Sequence, residues 1–183
     1  MNLFEAIKNR YSHKEGFLPD LVPIADLEQI AQAGLDAPSG VNRQTVQLII
    51  LPNREALGPI SDLTPHGGLS TAPAAIAVLT DGSLTPAGHM NFEKEDYSAA
   101  VENMLLAATA LGYASLWLDS PYFNAENEQA AKQLMGVPVG FKLWAMLPIG
   151  KPDGVGTRRE KLPFSARVSY VRFRLDTYVS SNL

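Results

Sequence analysis

The stretch that most constrains this chain is Glu93 to Gly112, EKEDYSAAVENMLLAATALG. Tyr97, Val101, Met104, Leu105, Ala108 and Leu111 fall at helical spacing and make one apolar stripe. Asn91 is placed to cap the start, Glu93, Glu95 and Asp96 load the first turn with negative charge, and Gly112 suits a left-handed close. At about 1.5 Å per residue, a helix of this length crosses a small domain from side to side. Alanines at 99, 100, 107, 108 and 110 keep it slim, and Leu106 adds apolar surface off the stripe. Such a helix belongs at the centre of a domain or against a second subunit. It runs straight into ASLWL, an expected strand, so a helix feeding a buried strand is the expected core.

With 183 residues, 46% hydrophobic and 19% charged, the chain has the length and composition of one ordinary globular domain, taken here as 1–183. A net charge of -4 argues against nucleic acid as the main partner, because phosphate backbones call for a basic face. No run approaches the roughly 18 apolar residues of a membrane span. MNLFEAIKNR lacks the basic start and apolar stretch of a signal peptide, so the expected location is the cytoplasm. There is no cysteine, and any redox work must fall to a bound cofactor. The three histidines are scattered without metal-ligand spacing, so no metal site is expected.

Other elements follow from pattern and punctuation. A short helix is expected around Phe4, Ile7 and Lys8, ending near Arg10. Pro23 opens a second, with Leu27, Ile30, Ala31 and Gly34 or Leu35 on its buried face. APSGVNRQ reads as loop, VQLIILP as a strand and REALGPISDL as a weak helix. TPHGGLSTAP reads as loop again, and AAIAVLTDG as the second strand. Asn124 is expected to cap a helix through Leu134, and FKLWAMLPIG is the fourth strand. KPDGVGTRREKLPF is polar and irregular, its two glycines marking a turn, and SYVRFRL resembles a last short strand. Trp117 and Trp144 fall inside strands and are expected in the core. No G-x-G-x-x-G or P-loop pattern is present, which disfavours a Rossmann-type nucleotide site.

Three groups carry candidate chemistry. Arg10, Ser12 and Lys14 alternate in an extended segment, so a guanidinium, a hydroxyl and an ammonium share one face and make an anion cradle. Arg159 and Lys161, beside Arg158, repeat the basic pattern near the other end. Taken alone, each is ordinarily a solvated charged segment. The two gain meaning if the fold gathers them around one phosphate. Pro38, Ser39, Asn42 and Gln44 offer hydroxyl and amide groups suited to the edge of a heterocycle, or else form a plain turn before the strand at Val46.

In this order, Arg10-x-Ser12-x-Lys14, Ala37 to Gln44, the helix Asp96 to Gly112, and Ile149-Gly150-Lys151-Pro152 before Arg158-Arg159-Glu160-Lys161 resemble the nitroreductase family of FMN-dependent oxidoreductases. The ordered set covers nearly the whole chain. The resemblance implies an α+β fold, a three-layer α-β-α sandwich around a mostly antiparallel sheet. It also implies an intertwined homodimer with two FMN sites at the subunit interface. Arg10, Ser12, Lys14, Arg159 and Lys161 would hold the FMN phosphate and ribityl chain. Pro38, Ser39 and Asn42 would reach the isoalloxazine ring from the other subunit, with Trp117, Leu118, Asp119 and Ser120 passing beneath it. The tail 165–183 would pair with the partner's sheet. The implied activity is hydride transfer from NADH or NADPH, through flavin, to a small acceptor such as a nitroaromatic or quinone. No catalytic side chain is implied. A flavin-binding sensor or storage module without turnover is the alternative. One departure stands out: His66-Gly67-Gly68 occupies a loop where many members carry an amide or basic side chain near the flavin pyrimidine.

Overall fold

In the computed structural model, residues 1–64, 67–119 and 124–172 are described. Helices α1 (Leu3–Asn9) and α2 (Ile24–Leu35) precede strand β1 (Val46–Leu51). Helices α3 (Arg54–Ser61) and α4 (Gly67–Thr71) lead to β2 (Ala74–Asp81), followed by the central helix α5 (Glu93–Ala110). Two short strands, β3 (Ala114–Ser115) and β4 (Leu118–Asp119), then α6 (Ala125–Leu134), β5 (Phe141–Gly150) and α7 (Phe164–Arg167) complete the order. The sheet runs β1-β2-β5-β3, with β4 also on β5, and all these ladders are antiparallel.

The sheet is the middle of three layers. On β2, Ala74, Ile76 and Val78 face α2 and α5, while Ala75, Ala77 and Leu79 face α3, α4 and α6. This is the period-2 alternation of a strand with both faces buried, so β2 reads as a continuous apolar run. Trp144 is left unpaired where the β2–β5 register steps from Val78–Ala145 to Leu79–Leu143. That bulge resets the alternation, placing Leu143 on the same side as Met146. Trp144 is buried as expected; it stacks on Tyr97 at 4.7 Å and donates its Nε1–H to Thr80 Oγ1 at 2.7 Å.

The central helix behaves as its stripe demands. Val101, Met104, Leu105 and Ala108 are buried, whereas Tyr97 and Leu111 are only half-buried at the ends. Asn91 Oδ1 accepts the Glu93 N–H at 2.8 Å, although Phe92 intervenes at the cap position. Gly112 closes the helix at φ 81°, and the Tyr113 N–H reaches back to the Ala108 carbonyl at 2.9 Å. Helix α2 packs across α5 at Gly34, where an added Cβ would stand 2.8 Å from Met104 Cγ. Gly34 is therefore the buried member of the Gly34–Leu35 pair, and Leu35 is exposed. Asn124 caps α6 by accepting the Asn127 N–H at 2.8 Å.

Four expectations need correcting. ASLWL is not one strand: β3 and β4 share a single register on β5 but break at Leu116 and Trp117. In that register the gap falls opposite Leu147 and Pro148, and Pro148 has no N–H to offer. Trp117 accordingly lies in the gap and is half-buried rather than core. The loop expected over TPHGGLSTAP contains α4, because buried Leu69 anchors it and Arg54 Nη1 donates to the Leu69 carbonyl at 3.1 Å. Of the expected strand SYVRFRL, residues 169–172 are irregular and bent, and the remainder lies outside the described residues. His66 and Ser120 also lie outside them.

Candidate functional site

The segment after α1 is held in place by its alternate side chains. His13 is fully buried, edge-on to Phe17 at 4.8 Å and to Tyr11 at 5.9 Å. Its Nε2–H donates to the Gly16 carbonyl at 2.7 Å, and Nδ1 faces the Glu15 carboxylate at 3.6 Å without a hydrogen bond. The His13 N–H donates to the Ser115 carbonyl, forming a parallel bridge between Ser12 and Ser115 on β3. With His13 turned inward, Ser12 and Lys14 face solvent, as period-2 alternation requires.

The far end of the chain is tied to the same segment. Leu18 and Asp153 donate backbone N–H groups to Lys151 and Gly16 respectively, both at 2.9 Å. Gly156 then lies against the Tyr11 ring so closely that a Cβ there would overlap it. Gly154–Gly156 is thus more than a turn: Gly154 takes φ 96°, and Gly156 permits a contact no side chain would. Beyond it, Thr157, Arg158, Arg159 and Lys161 come to face Arg10, Tyr11, Ser12, Lys14 and Glu15 across a cavity of about 410 Å³.

Five cations and one carboxylate line this cavity, on a chain whose net charge is -4. Arg10 is the least exposed of the five, its guanidinium held by Glu102 of α5 with Nε 3.5 Å from Oε1. Fixed guanidinium forks, mobile ammonium groups and the Ser12 and Thr157 hydroxyls make a donor set with the charge and geometry for a phosphate monoester and its hydroxylated neighbour. The cavity fits the phosphate end of a flavin mononucleotide. It has too few apolar walls for the ring itself.

The second candidate group lies elsewhere. Pro38 and Ser39 line a separate cleft of about 240 Å³ with Gly34, Gln44, Gln47, Asp96 and Ala100. That cleft and the basic cavity share no residue within one protomer. Val41, Asn42 and Gln44 all adopt left-handed φ, at 47°, 55° and 53°. Each such non-glycine residue costs on the order of 1–3 kcal/mol unless its surroundings enforce it, most clearly for β-branched Val41. Enforcement comes from Asp96, which the sequence marks only as charge in the first turn of α5. Its Oδ1 accepts the Gly40 N–H and its Oδ2 the Thr45 hydroxyl, both at 2.7 Å. The Ser39 hydroxyl accepts the Gln44 N–H at 3.0 Å, and Phe92 fills the space a Cβ on Gly40 would need.

Trp117, Leu118 and Asp119 form a third group beside β5. Leu118 is buried. Asp119 Oδ1 accepts the Trp117 indole N–H at 2.8 Å and lies 3.5 Å from the Tyr97 hydroxyl. Burial and then the nearby Asp119 carboxylate raise the Tyr97 pKa, so the phenol stays a donor. Tyr97 lies edge-on to Trp117 at 5.9 Å, which fixes β4 to the central helix. Lys151 of the Ile149–Pro152 motif is engaged in structure, donating to the Gly112 carbonyl at 3.0 Å and covering the Tyr113 ring at 4.3 Å.

Fold and site together define an α-β-α sandwich with an anion cradle built from both ends of the chain. The sequence model of the Nitroreductase family matches residues 7–66 and 58–151. A protein of Archaeoglobus fulgidus with the provisional name NADH dehydrogenase/NAD(P)H nitroreductase is 36% identical over 128 residues, 69% of this chain and 72% of that one. A protein of Methanothermobacter thermautotrophicus with the same provisional name is 32% identical over 160 residues, 86% and 82% of the two chains. Among solved structures, a nitroreductase family protein of Clostridium difficile 630 matches with TM-score 0.78 and 28% identity, covering 94% of this chain and 100% of that one. A provisionally named nitroreductase of Desulfovibrio desulfuricans, solved in complex with FMN, matches with TM-score 0.72 and 25% identity, covering 95% and 99%. The chain belongs to the nitroreductase family. No cluster of metal-ligating side chains and no helix long and apolar enough to cross a membrane occurs among its described residues.

Proposed function

We propose that this protein is an FMN-dependent NAD(P)H oxidoreductase, acting as a cytoplasmic homodimer on a small acceptor such as a nitroaromatic or a quinone. The observation that carries the reading is the basic cavity, in which Arg10, Ser12 and Lys14 meet Arg159 and Lys161. These five would hold the phosphate and ribityl chain, with Arg158 adding charge at the rim. Pro38, Ser39 and Asn42 would serve the ring of the partner's site, which accords with their lying apart from their own protomer's cavity. Trp117, Leu118 and Asp119 would border the ring from beneath, steadied by Tyr97. The chemistry FMN supplies when bound is hydride exchange, from NADH or NADPH to the acceptor in two alternating half-reactions. The chain's own work is then binding, orientation and exclusion of water, without a dedicated acid or base. Names of the relatives and the FMN complex of the Desulfovibrio protein support this reading.

The test is the visible spectrum of freshly purified protein, taken anaerobically before and after NADH and then NADPH. A flavin spectrum that bleaches is the expected result, and the more effective nicotinamide names the donor. A flavin spectrum that neither donor bleaches would move the reading to a binding module. Colourless protein that added FMN cannot restore would remove the flavin altogether.

A further inference from the structure

We propose that Asp96 is a positioning residue for the flavin-facing loop: its carboxylate clamps residues 39–45 in the shape, left-handed at Val41, Asn42 and Gln44, that presents Pro38, Ser39 and Asn42. The proposal rests on the FMN reading above and deepens it by naming what sets the geometry of the ring contacts. Asp96 is only 2% exposed, yet it accepts from two neutral donors, and no cation pairs with it among the described residues. A buried carboxylate held this way is a costly means of closing an ordinary connection between α2 and β1. Its position in the first turn of α5, where the helix dipole favours negative charge, lowers that cost.

Both of its oxygens are used. Oδ1 fixes Gly40 just before the three left-handed residues Val41, Asn42 and Gln44, and Oδ2 fixes Thr45 just after them. Thr45 is itself tied to the sheet, its carbonyl accepting the Asp81 N–H at 2.9 Å. The loop is thereby locked to the central helix and to the end of β2 at once. Strain of this kind, held by Asp96 together with the Ser39–Gln44 bond and Phe92, belongs to sites where backbone shape is functional.

The test uses full-length apoprotein titrated with FMN, with riboflavin and with inorganic phosphate, together with visible circular dichroism of bound flavin at saturation. Asp96→Ala is expected to weaken FMN and riboflavin by a common factor of about tenfold or more, the scale of one charge-assisted hydrogen bond. It should alter the flavin dichroism and leave phosphate affinity unchanged. Arg10→Ala, in contrast, should weaken FMN and spare riboflavin. Asp96→Asn keeps an acceptor for Gly40 and a group for Thr45, and should recover most of the ring affinity. Thr45→Val removes one of the two contacts at constant volume and should give an intermediate loss, so a misfolded alanine variant leaves the proposal open to refutation. Folded Asp96→Ala or Thr45→Val protein with wild-type riboflavin affinity and dichroism would overturn the clamp while leaving FMN binding intact. Equal losses for phosphate and riboflavin would reduce Asp96 to a general stabiliser and overturn it too. Wild-type protein that binds neither flavin would fail the FMN reading first, and the clamp with it.

Discussion

The Tyr11 ring and the bare Cα of Gly156 are in van der Waals contact across the two ends of the chain, leaving no room for a methyl group. This contact brings Thr157 to Lys161 over the Arg10–Lys14 segment and so builds the basic cavity. Gly156→Ala should push the segments apart. Overpacking of this kind costs typically 1–3 kcal/mol. Because only one cavity wall moves, FMN affinity should fall more clearly than thermal stability. Shrinking the ring in a Tyr11→Leu background should reduce the penalty of the alanine, a coupling that a double-mutant cycle on FMN affinity would read. Additive effects of the two changes would show that the contact does not set the cavity.

Arg10 makes the second prediction. Its guanidinium is already oriented by Glu102, so it presents its remaining donors without further ordering. Arg10→Ala should loosen FMN by roughly 1.5–3 kcal/mol, the range for hydrogen bonds to charged groups. Glu102→Gln should loosen it less, because the cation remains and only its orientation is lost. Equilibrium titration of apoprotein at fixed ionic strength checks both, and unchanged FMN affinity in Arg10→Ala would refute the phosphate assignment.

How much of this was legible beforehand depends on the range of the interaction. The β2 and β5 strands, the α6 cap at Asn124 and the Gly112 closure of α5 are all specified by near neighbours, and the sequence carries them with little error. The Trp144 bulge was hidden because β5 is apolar on both faces, so a reset of its alternation leaves no pattern to see. The two basic segments were visible as patterns, but their meeting depends on Gly156 fitting Tyr11, which no local rule announces. The role of Asp96 leaves no local sequence signal for the same reason. Its partners Gly40 and Thr45 lie 56 and 51 positions away, and a carboxylate in a first helical turn already has an ordinary explanation.

The third prediction concerns alkaline pH. Tyr113 donates its hydroxyl to Asp26 Oδ2 at 2.5 Å, linking the end of α5 to the start of α2. Burial first, and then Asp26, push its pKa up from 10 to about 12. The folded state therefore holds this proton more tightly than the unfolded chain does. The stabilisation is complete below about pH 10 and is lost as pH rises toward 12. Burial raises the pKa of Tyr11 and Tyr97 as well, so their contributions have the same sign. Thermal midpoints measured from pH 9 upward should fall more steeply for wild type than for Tyr113→Phe. Parallel curves would mean that the Tyr113–Asp26 bond contributes nothing to stability.

The last prediction is that the protein is a homodimer whose subunits do not persist alone. Helix α1 carries Leu3, Phe4 and Ile7 outward, with Phe4 81% exposed, and the same helix packs its opposite side on α5. Leu35 before the Asp96-clamped loop and Val41 within it are exposed. A monomer offering this much apolar surface next to a strained loop lacks the covering that soluble chains normally find. If the partner supplies that cover, Pro38, Ser39 and Asn42 are brought to a neighbouring site in the same step, and flavin affinity becomes dependent on protein concentration. Light scattering combined with FMN titration across a dilution series separates the possibilities. A dimer that loses flavin as it dissociates is the expected result. A folded monomer that retains full FMN affinity would show that each subunit completes its own site, and would remove the role assigned to the partner's loop.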